Sequence, residues 1–366
     1  MGKGKERIKD HGTRVTRRDF VKGVGMLAGA AAMTGGWGIT PSWAQETKEL
    51  VFVNFGGEGD KAMREAWVTP YEKESGVKVT SQSPTNYAKL KAMVESKNVI
   101  WDVVDTDQDF AIRGGKQNLL ELIDYSVVDK KSVDFTEEAT LKYGVPPYMY
   151  SYVMAWRADK FAGTQPNTWA DFWDVKKFPG KRGLWRWMYG VLEAALLADG
   201  VPMNKVYPID EKRALNKIKE LKPHVASFWE SGAESLQLLR ENEATMVATW
   251  NTRAYFLKKE TKGKAQYTYN QAVLQASALV IPKGAPNKAN AMRFINAILK
   301  PERQAKLFEL MGNGPVNPAA LKYVPEDLKI ENPTDPRNKA VQVPLDSAWY
   351  AENYDRVLDD YLAVIS

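Results

Sequence analysis

Apolar positions along this chain fall in short blocks, and their spacing alternates between strand-like runs and helical stripes. "ELVFVNF" (49–55) is an apolar, β-rich run that stops at Gly56-Gly57, which predicts a strand. "DKAMREAWVTPYEKESG" follows, with Ala62, Ala66, Trp67 and Tyr71 on one side of a helix and Gly76 as its stop. "VKVTSQS" (77–83) predicts a second strand, "NYAKLKAMVES" (86–96) a second helix, and "WDVVDTD" (101–107) a third strand ending in acids. Strand-helix-strand-helix-strand implies parallel pairing with helices on the faces of the sheet, an α/β arrangement.

"YGVPPYMYSYVMAWRADKF" (143–161) breaks that rhythm, because Pro146-Pro147 forces an extended path ahead of a long aromatic strand. A second α/β set follows: helices over "GVLEAALLADG" (190–200), "DEKRALNKIKELKP" (210–223) and "AESLQLLRENEA" (233–244), then the strand "TMVATW" (245–250). It ends at "ASALVIPKGAPN" (276–287), where a strand meets Pro282. Beyond this, the chain is helical, with Ala291, Phe294, Ile295 and Ile298 on one face and Pro301 at a turn. The last third has too few strands for a sheet of its own, so its helices are expected to return to the first domain. Residues 45–147 plus 282–366 would then form one lobe and residues 148–281 the other, with a cleft between them. Such clefts favour small ligands, because strand ends and helix N-termini converge there.

The length of 366 residues suits about two domains. Composition then removes several functions. There is no cysteine and there are only two histidines, His11 and His224, so thiol catalysis, Cys-ligated zinc and a His-based triad are not expected. Of the formal +6 charge, residues 1–44 carry eight cations against three anions, leaving about +1 for the rest. The basic balance therefore does not indicate nucleic-acid binding. That same segment joins "TRRDFVKG" to a Gly- and Ala-rich apolar run and a Ser42-x-Ala44 exit, the pattern of an export signal. Arg17 and Arg18, with Thr16, Phe20 and Lys22 around them, resemble the twin-arginine motif. The mature protein is expected to be soluble and exported, in a bacterial periplasm or an equivalent cell-surface space.

Several segments, in order, resemble those of extracellular solute-binding proteins of ABC importers, in the spermidine/putrescine-binding branch. They include "NFGGEGDKAM", "NYAKLKAM", "YGVPPYMYSYVMAWRADKF", "TWADFWD", "MVATWNTRAY", "VIPKGAPN" and "MGNGPVNPAA". The resemblance implies a two-lobed periplasmic-binding-protein fold of type II, no cofactor or metal, no catalysis, and a monomer that serves a membrane permease driven by an ATPase. It also implies ligand positions. They are Asn54, Phe55, Gly56 and Gly57 after the first strand, Asp107, Gln108 and Asp109 after the third, and the crossing aromatics Tyr148 and Tyr150. The second lobe adds Arg186 to Gly190, including Tyr189, then Trp250, Gln275 to Ser277, and finally Asn313. Polyamine binders carry acids in the "LWRWMYG" and "LQASA" positions; this chain has Arg186, Trp187 and Gly190 in one and Gln275, Ala276 and Ser277 in the other.

The "WNTR" stretch resembles relatives that bind γ-aminobutyrate-like amino acids, which places Arg253 on a carboxylate and Trp250 on the alkyl chain. Arginine's planar donors suit that task; the alternative is that Arg253 caps or solvates the start of "RAYFLKKE". Asp107 and Asp109, on an extended segment, would face one side and receive an ammonium group, or else act as cap or turn acids. Arg186 is either a second anion contact or a stacked cation between Trp185 and Trp187. Tyr148, Tyr150, Tyr189 and Trp250 are candidates for an aromatic box, whereas Trp101, Trp156, Trp169 and Trp173 are assigned to core packing. The leading expectation is a binding module for an ω-amino acid or related zwitterion. A polyamine comes second and a purely anionic acid or phosphonate third. An exported enzyme on the same fold is a separate class, opposed by the absence of Gly-x-Ser-x-Gly or a phosphate-cradling loop.

Overall fold

Residues 48–366 are described in the computed structural model. The export signal read at residues 1–44 lies outside the described residues. The expected strands form at β1 Glu49–Val53, β2 Lys78–Gln82 and β3 Val103–Asp107. A two-residue β4, Gly144–Val145, precedes β5, Tyr148–Arg157. Then come β6 Arg182–Trp185, β7 Val225–Trp229, β8 Met246–Trp250 and β9 Ala265–Val280, followed by the short β10 Gly314–Pro315 and β11 Val343–Pro344. They join in one mixed sheet of order β2-β1-β3-β9-β5-β8-β6-β7, with β4 and β11 on β9 and β10 on β5.

β1 runs parallel to β2 and β3, and β6 runs parallel to β7 and β8. The antiparallel strands β9 and β5 stitch these two parallel groups together. β3 and β8 are buried at every position, as expected for strands covered on both faces. β4 and β5 both pair along β9, at Val145 opposite Leu279 and Met149 opposite Ala276. Between them stand Pro146 and Pro147, which have no N–H for the ladder, and so the ladder breaks there. The Pro147 carbonyl instead accepts from Gln304 Nε2 at 2.8 Å.

The sequence predicts a strand only from Ala276, whereas β9 begins at Ala265. Its first half alternates poorly because it contains a bulge: Tyr152 pairs with Val273, but Met154 pairs with Thr268. Gln271 sits in the bulge with φ 61°. It is pinned from both sides, since Trp169 donates its backbone N–H to Gln271 Oε1 at 3.0 Å and its indole N–H to the Gln271 carbonyl at 2.8 Å.

Helical residues Glu58 to Ser75 run without a break through a π-helical stretch at Arg64–Val68 and stop at Gly76, which is left-handed at φ 68°. Asn86 caps the helix Tyr87–Glu95 by accepting from the Lys89 N–H at 2.8 Å. In the last third, helix Lys288–Ile298 packs on β1, and helix Pro301–Met311 packs on the π-helical stretch. Helix Ser347–Ile365 behaves differently: it lies against both helix Gln108–Lys116 and helix Glu211–Leu221. Its buried Tyr350 and Tyr361 donate to Glu193 and to the Trp185 carbonyl, which ties it to the middle of the chain.

Candidate functional site

Four helices start close to the carboxyl ends of β1, β3, β7 and β8, the usual ligand edge of an α/β sheet. They are Glu58–Met63, Gln108–Lys116, Gly232–Arg240 and Asn251–Glu260. After β1 the chain needs two successive left-handed residues, and Gly56 and Gly57 supply them at φ 77° and 65°. Asn54 fixes this turn: its Oδ1 accepts from the Gly56 N–H at 2.8 Å, and its Nδ2 donates to Asp60 Oδ1 at 2.7 Å.

The cleft at this edge spans about 430 Å³, including space open to solvent. It is lined by Asn54, Phe55, Gly56, Gly59, Met63, Asp107, Tyr148, Tyr150, Trp250, Thr252, Arg253 and Met311. Phe55 and Trp250 lie 6.3 Å apart between ring centroids and form an apolar wall. Trp250 in turn meets Trp185 and Trp229 edge-on, each at 5.1 Å.

Arg253 is the third residue of its helix and is 6% exposed. Its Cζ lies 5.4 Å from the Trp250 ring centroid, and its Nη1 makes one long hydrogen bond, 3.3 Å, to Thr252 Oγ1. Among the described residues it forms no ion pair. Burial holds its pKa below the ordinary arginine value, while Tyr148, Glu58 and Asp105 act in the opposite sense. A buried guanidinium without a carboxylate partner is unfavourable on its own, and it is suited to meeting an anion from outside.

Opposite it, β3 presents two buried acids. Asp105 accepts from Tyr148 Oη at 2.9 Å and from Ser277 Oγ. Asp107 accepts from Tyr87 Oη at 2.6 Å and from Tyr150 Oη at 3.1 Å. Burial pushes Asp105 up to about 7 and Asp107 up to about 6; the charge of Asp107 adds to the first and that of Asp109 to the second. A carboxylate has about four lone-pair directions, so Asp107 retains room for a further donor.

The other sequence-read positions divide clearly. The expectation that Asp107 and Asp109 share an extended segment is corrected, because the helix begins at Gln108. Asp109 points away to Arg113 Nε, at 2.8 Å, and Tyr189 Oη donates to it at 2.8 Å, so neither Asp109 nor Tyr189 lines the cavity. Arg186 is neither a cavity residue nor a buried stacked cation: it is exposed and pairs with Glu230 at 3.3 Å. Arg186→Ala is therefore expected to change solute affinity by less than about twofold, as for a surface ion pair, measured by calorimetric titration. Gly57 shapes the turn without lining the cavity.

Gln275 lies opposite Tyr150 and Ser277 opposite Asp107 in the ladders, and neither lines the cavity. Asn313 precedes Gly314, which pairs with Met149. Gln275 Nε2, Trp250 Nε1 and both amide atoms of Asn313 are buried without a protein hydrogen-bond partner. Gly59, Met63 and Met311 in the lining, and Asp105 beside it, are not among the positions expected from the sequence. Asp105 alternates with Asp107 on β3, and this was the signal that could have found it.

Gly190 lies behind the site at φ 74°, and a Cβ there would fall 2.5 Å from the Tyr152 ring. Gly190→Ala is expected to destabilise the protein by about 1–3 kcal/mol in urea unfolding.

A family model of bacterial extracellular solute-binding proteins matches residues 66–335. The chain belongs to that family. The γ-aminobutyric acid-binding protein of Pseudomonas aeruginosa is 32% identical over 314 residues, covering 84% of this chain and 88% of that protein. The spermidine/putrescine-binding periplasmic protein of Escherichia coli K12 is 23% identical over 350 residues, covering 91% and 97%. Among solved structures, the PBP AgtB from A. tumefaciens R10 in complex with agropinic acid is 36% identical, with a TM-score of 0.80 over 87% of this chain and 98% of that one. This solute-binding protein thus has the type II periplasmic-binding-protein fold, and its relatives bind solutes as components of ABC transporters. Among the described residues no group of His, Cys, Asp and Glu could hold a metal ion.

Proposed function

We propose that this protein captures a small zwitterion, an ω-amino acid or a close relative, and delivers it to an ABC permease. Arg253 carries the reading: it is a buried guanidinium with no carboxylate partner among the described residues, in the same cavity as Asp107. Arg253 would hold the solute's carboxylate in bidentate fashion, Trp250 and Phe55 would flank the alkyl chain, and Asp107 with Tyr150 would receive the ammonium group. The relative named for γ-aminobutyric acid supports this class of solute. In this reading, residues 45–147 with 282–366 and residues 148–281 act as two lobes that close over the solute. The permease would then distinguish loaded from empty protein by shape. Residues 1–44 would direct export to the periplasm by the twin-arginine route, and the mature chain would act as a monomer without catalysis.

A polyamine is the second reading, favoured by the two buried acids Asp105 and Asp107 and by the spermidine/putrescine-binding relative. Arg253 opposes it, because a dication would share the cavity with an uncompensated guanidinium. A thermal-shift comparison separates the two. γ-Aminobutyrate at 100 times its Kd should add about 2.7 kcal/mol of stability, whereas putrescine and spermidine should leave the midpoint unchanged. Stabilisation by putrescine alone would reverse the order of the two readings.

A further inference from the structure

We propose that Gly59 and Gly232 form a two-sided slot that fixes the Arg253 guanidinium, which makes both glycines positioning residues for recognition of the solute's carboxylate. The inference rests on Arg253 being the anion clamp and extends that reading to residues that carry no chemistry themselves. Gly59 lies in the first turn of helix Glu58–Met63, and Gly232 opens helix Gly232–Arg240. Neither has the left-handed backbone that makes glycine necessary elsewhere in this chain. Within a helix, glycine is the less favourable choice against alanine, so the local backbone does not explain either one.

What a Cβ would meet explains both. At Gly232 it would lie 2.3 Å from Arg253 Nε and 3.1 Å from its Cδ, with Trp250 Cζ3 at 3.0 Å. At Gly59 it would lie 3.1 Å from Arg253 Nη2, 3.4 Å from Nη1 and 3.6 Å from Cζ. The two glycines are far apart in sequence, yet each gives its space to the same side chain. Gly232 accommodates the neck of the guanidinium, and Gly59 accommodates its fork. Among the described residues Arg253 has one weak hydrogen bond and no ion pair to orient it, so steric confinement sets the pose in which its donors face the cavity.

The test combines crystal structures of the ligand-free Gly59→Ala and Gly232→Ala proteins with calorimetric titration of γ-aminobutyrate. The guanidinium should move from its wild-type place in both variants. Affinity should fall about tenfold or more for Gly232→Ala, and less for Gly59→Ala, because small misplacements of a positioned group are costly. Introduced into an Arg253→Ala background, the same substitutions should change affinity by less than about twofold, since the group they position is gone. An unmoved guanidinium in both structures, or an equal loss in the Arg253→Ala background, would overturn the slot. Wild type and Arg253→Ala binding γ-aminobutyrate equally, or not at all, would instead count against the clamp itself. In that case the crystal structures still decide the slot. Should Gly232→Ala not fold, Gly59→Ala carries the test, because its closest contact is with the flexible end of the arginine.

Discussion

Arg253→Ala is expected to lower γ-aminobutyrate affinity by about 100-fold while leaving the ligand-free protein as stable as wild type, or more so. A charge-assisted, desolvated pair is strong, and removing one partner typically costs about 2–5 kcal/mol in binding. The stability effect has the opposite sign because the guanidinium makes one long hydrogen bond, to Thr252 Oγ1, lies against the face of Trp250, and forms no ion pair among the described residues. Removing it deletes a buried charge that no carboxylate among the described residues neutralises within ion-pair distance. Titration calorimetry reads the first effect and thermal unfolding without ligand the second. A large loss of stability with unchanged affinity would show that Arg253 is a structural helix residue.

The second large effect concerns Asp107 and pH. Its carboxyl is pushed up to about 6, chiefly by burial and then by the charge of Asp109, and Asp105 is pushed up to about 7. Unfolded aspartate titrates near about 3.9. Above that value the folded chain still holds protons that the unfolded chain has released. The stabilisation is therefore full below about pH 4 and is lost as pH rises through about 6 for Asp107 and about 7 for Asp105. The ligand-free protein should accordingly become less stable from pH 4 to pH 7.

Binding of an ammonium group has the opposite dependence, because it requires the ionised carboxylate. Affinity for γ-aminobutyrate should weaken by up to about tenfold per pH unit below the Asp107 midpoint. Asp107→Asn should remove that dependence and lower neutral-pH affinity by about 10- to 100-fold, the worth of a hydrogen bond to a charged group. A purely anionic solute would behave in reverse and bind better once Asp107 is protonated. A flat profile in the wild type would remove Asp107 from ammonium recognition.

The local elements were legible where physics is local. Gly76 as a stop and the break at Pro146-Pro147 each depend on the backbone of one or two residues, and each is found in the structure. The start of β9 was not legible, because its bulge is held by Trp169 and Val341, which are distant in sequence. Half of the site residues read from the chain line the cavity, including Trp250 and Arg253 at the end of β8. Asp109 was misplaced because helix Gln108–Lys116 begins one residue earlier than an extended segment would allow, which turns it toward Arg113 and Tyr189.

The sequence by itself determined the strand-helix alternation through β3, the lack of cysteine, and the presence of an arginine just past the apolar run that forms β8. Those features follow from residue type and spacing. Only the tertiary structure decided which of these charges are paired within the described residues. Asp109 and Arg186 find ion-pair partners in Arg113 and Glu230, whereas Arg253 forms no ion pair among the described residues and lies against Gly59 and Gly232. Pairing depends on which side chains come within a few ångströms of one another, and in this site those neighbours come from β1, β3, β5 and β8 together.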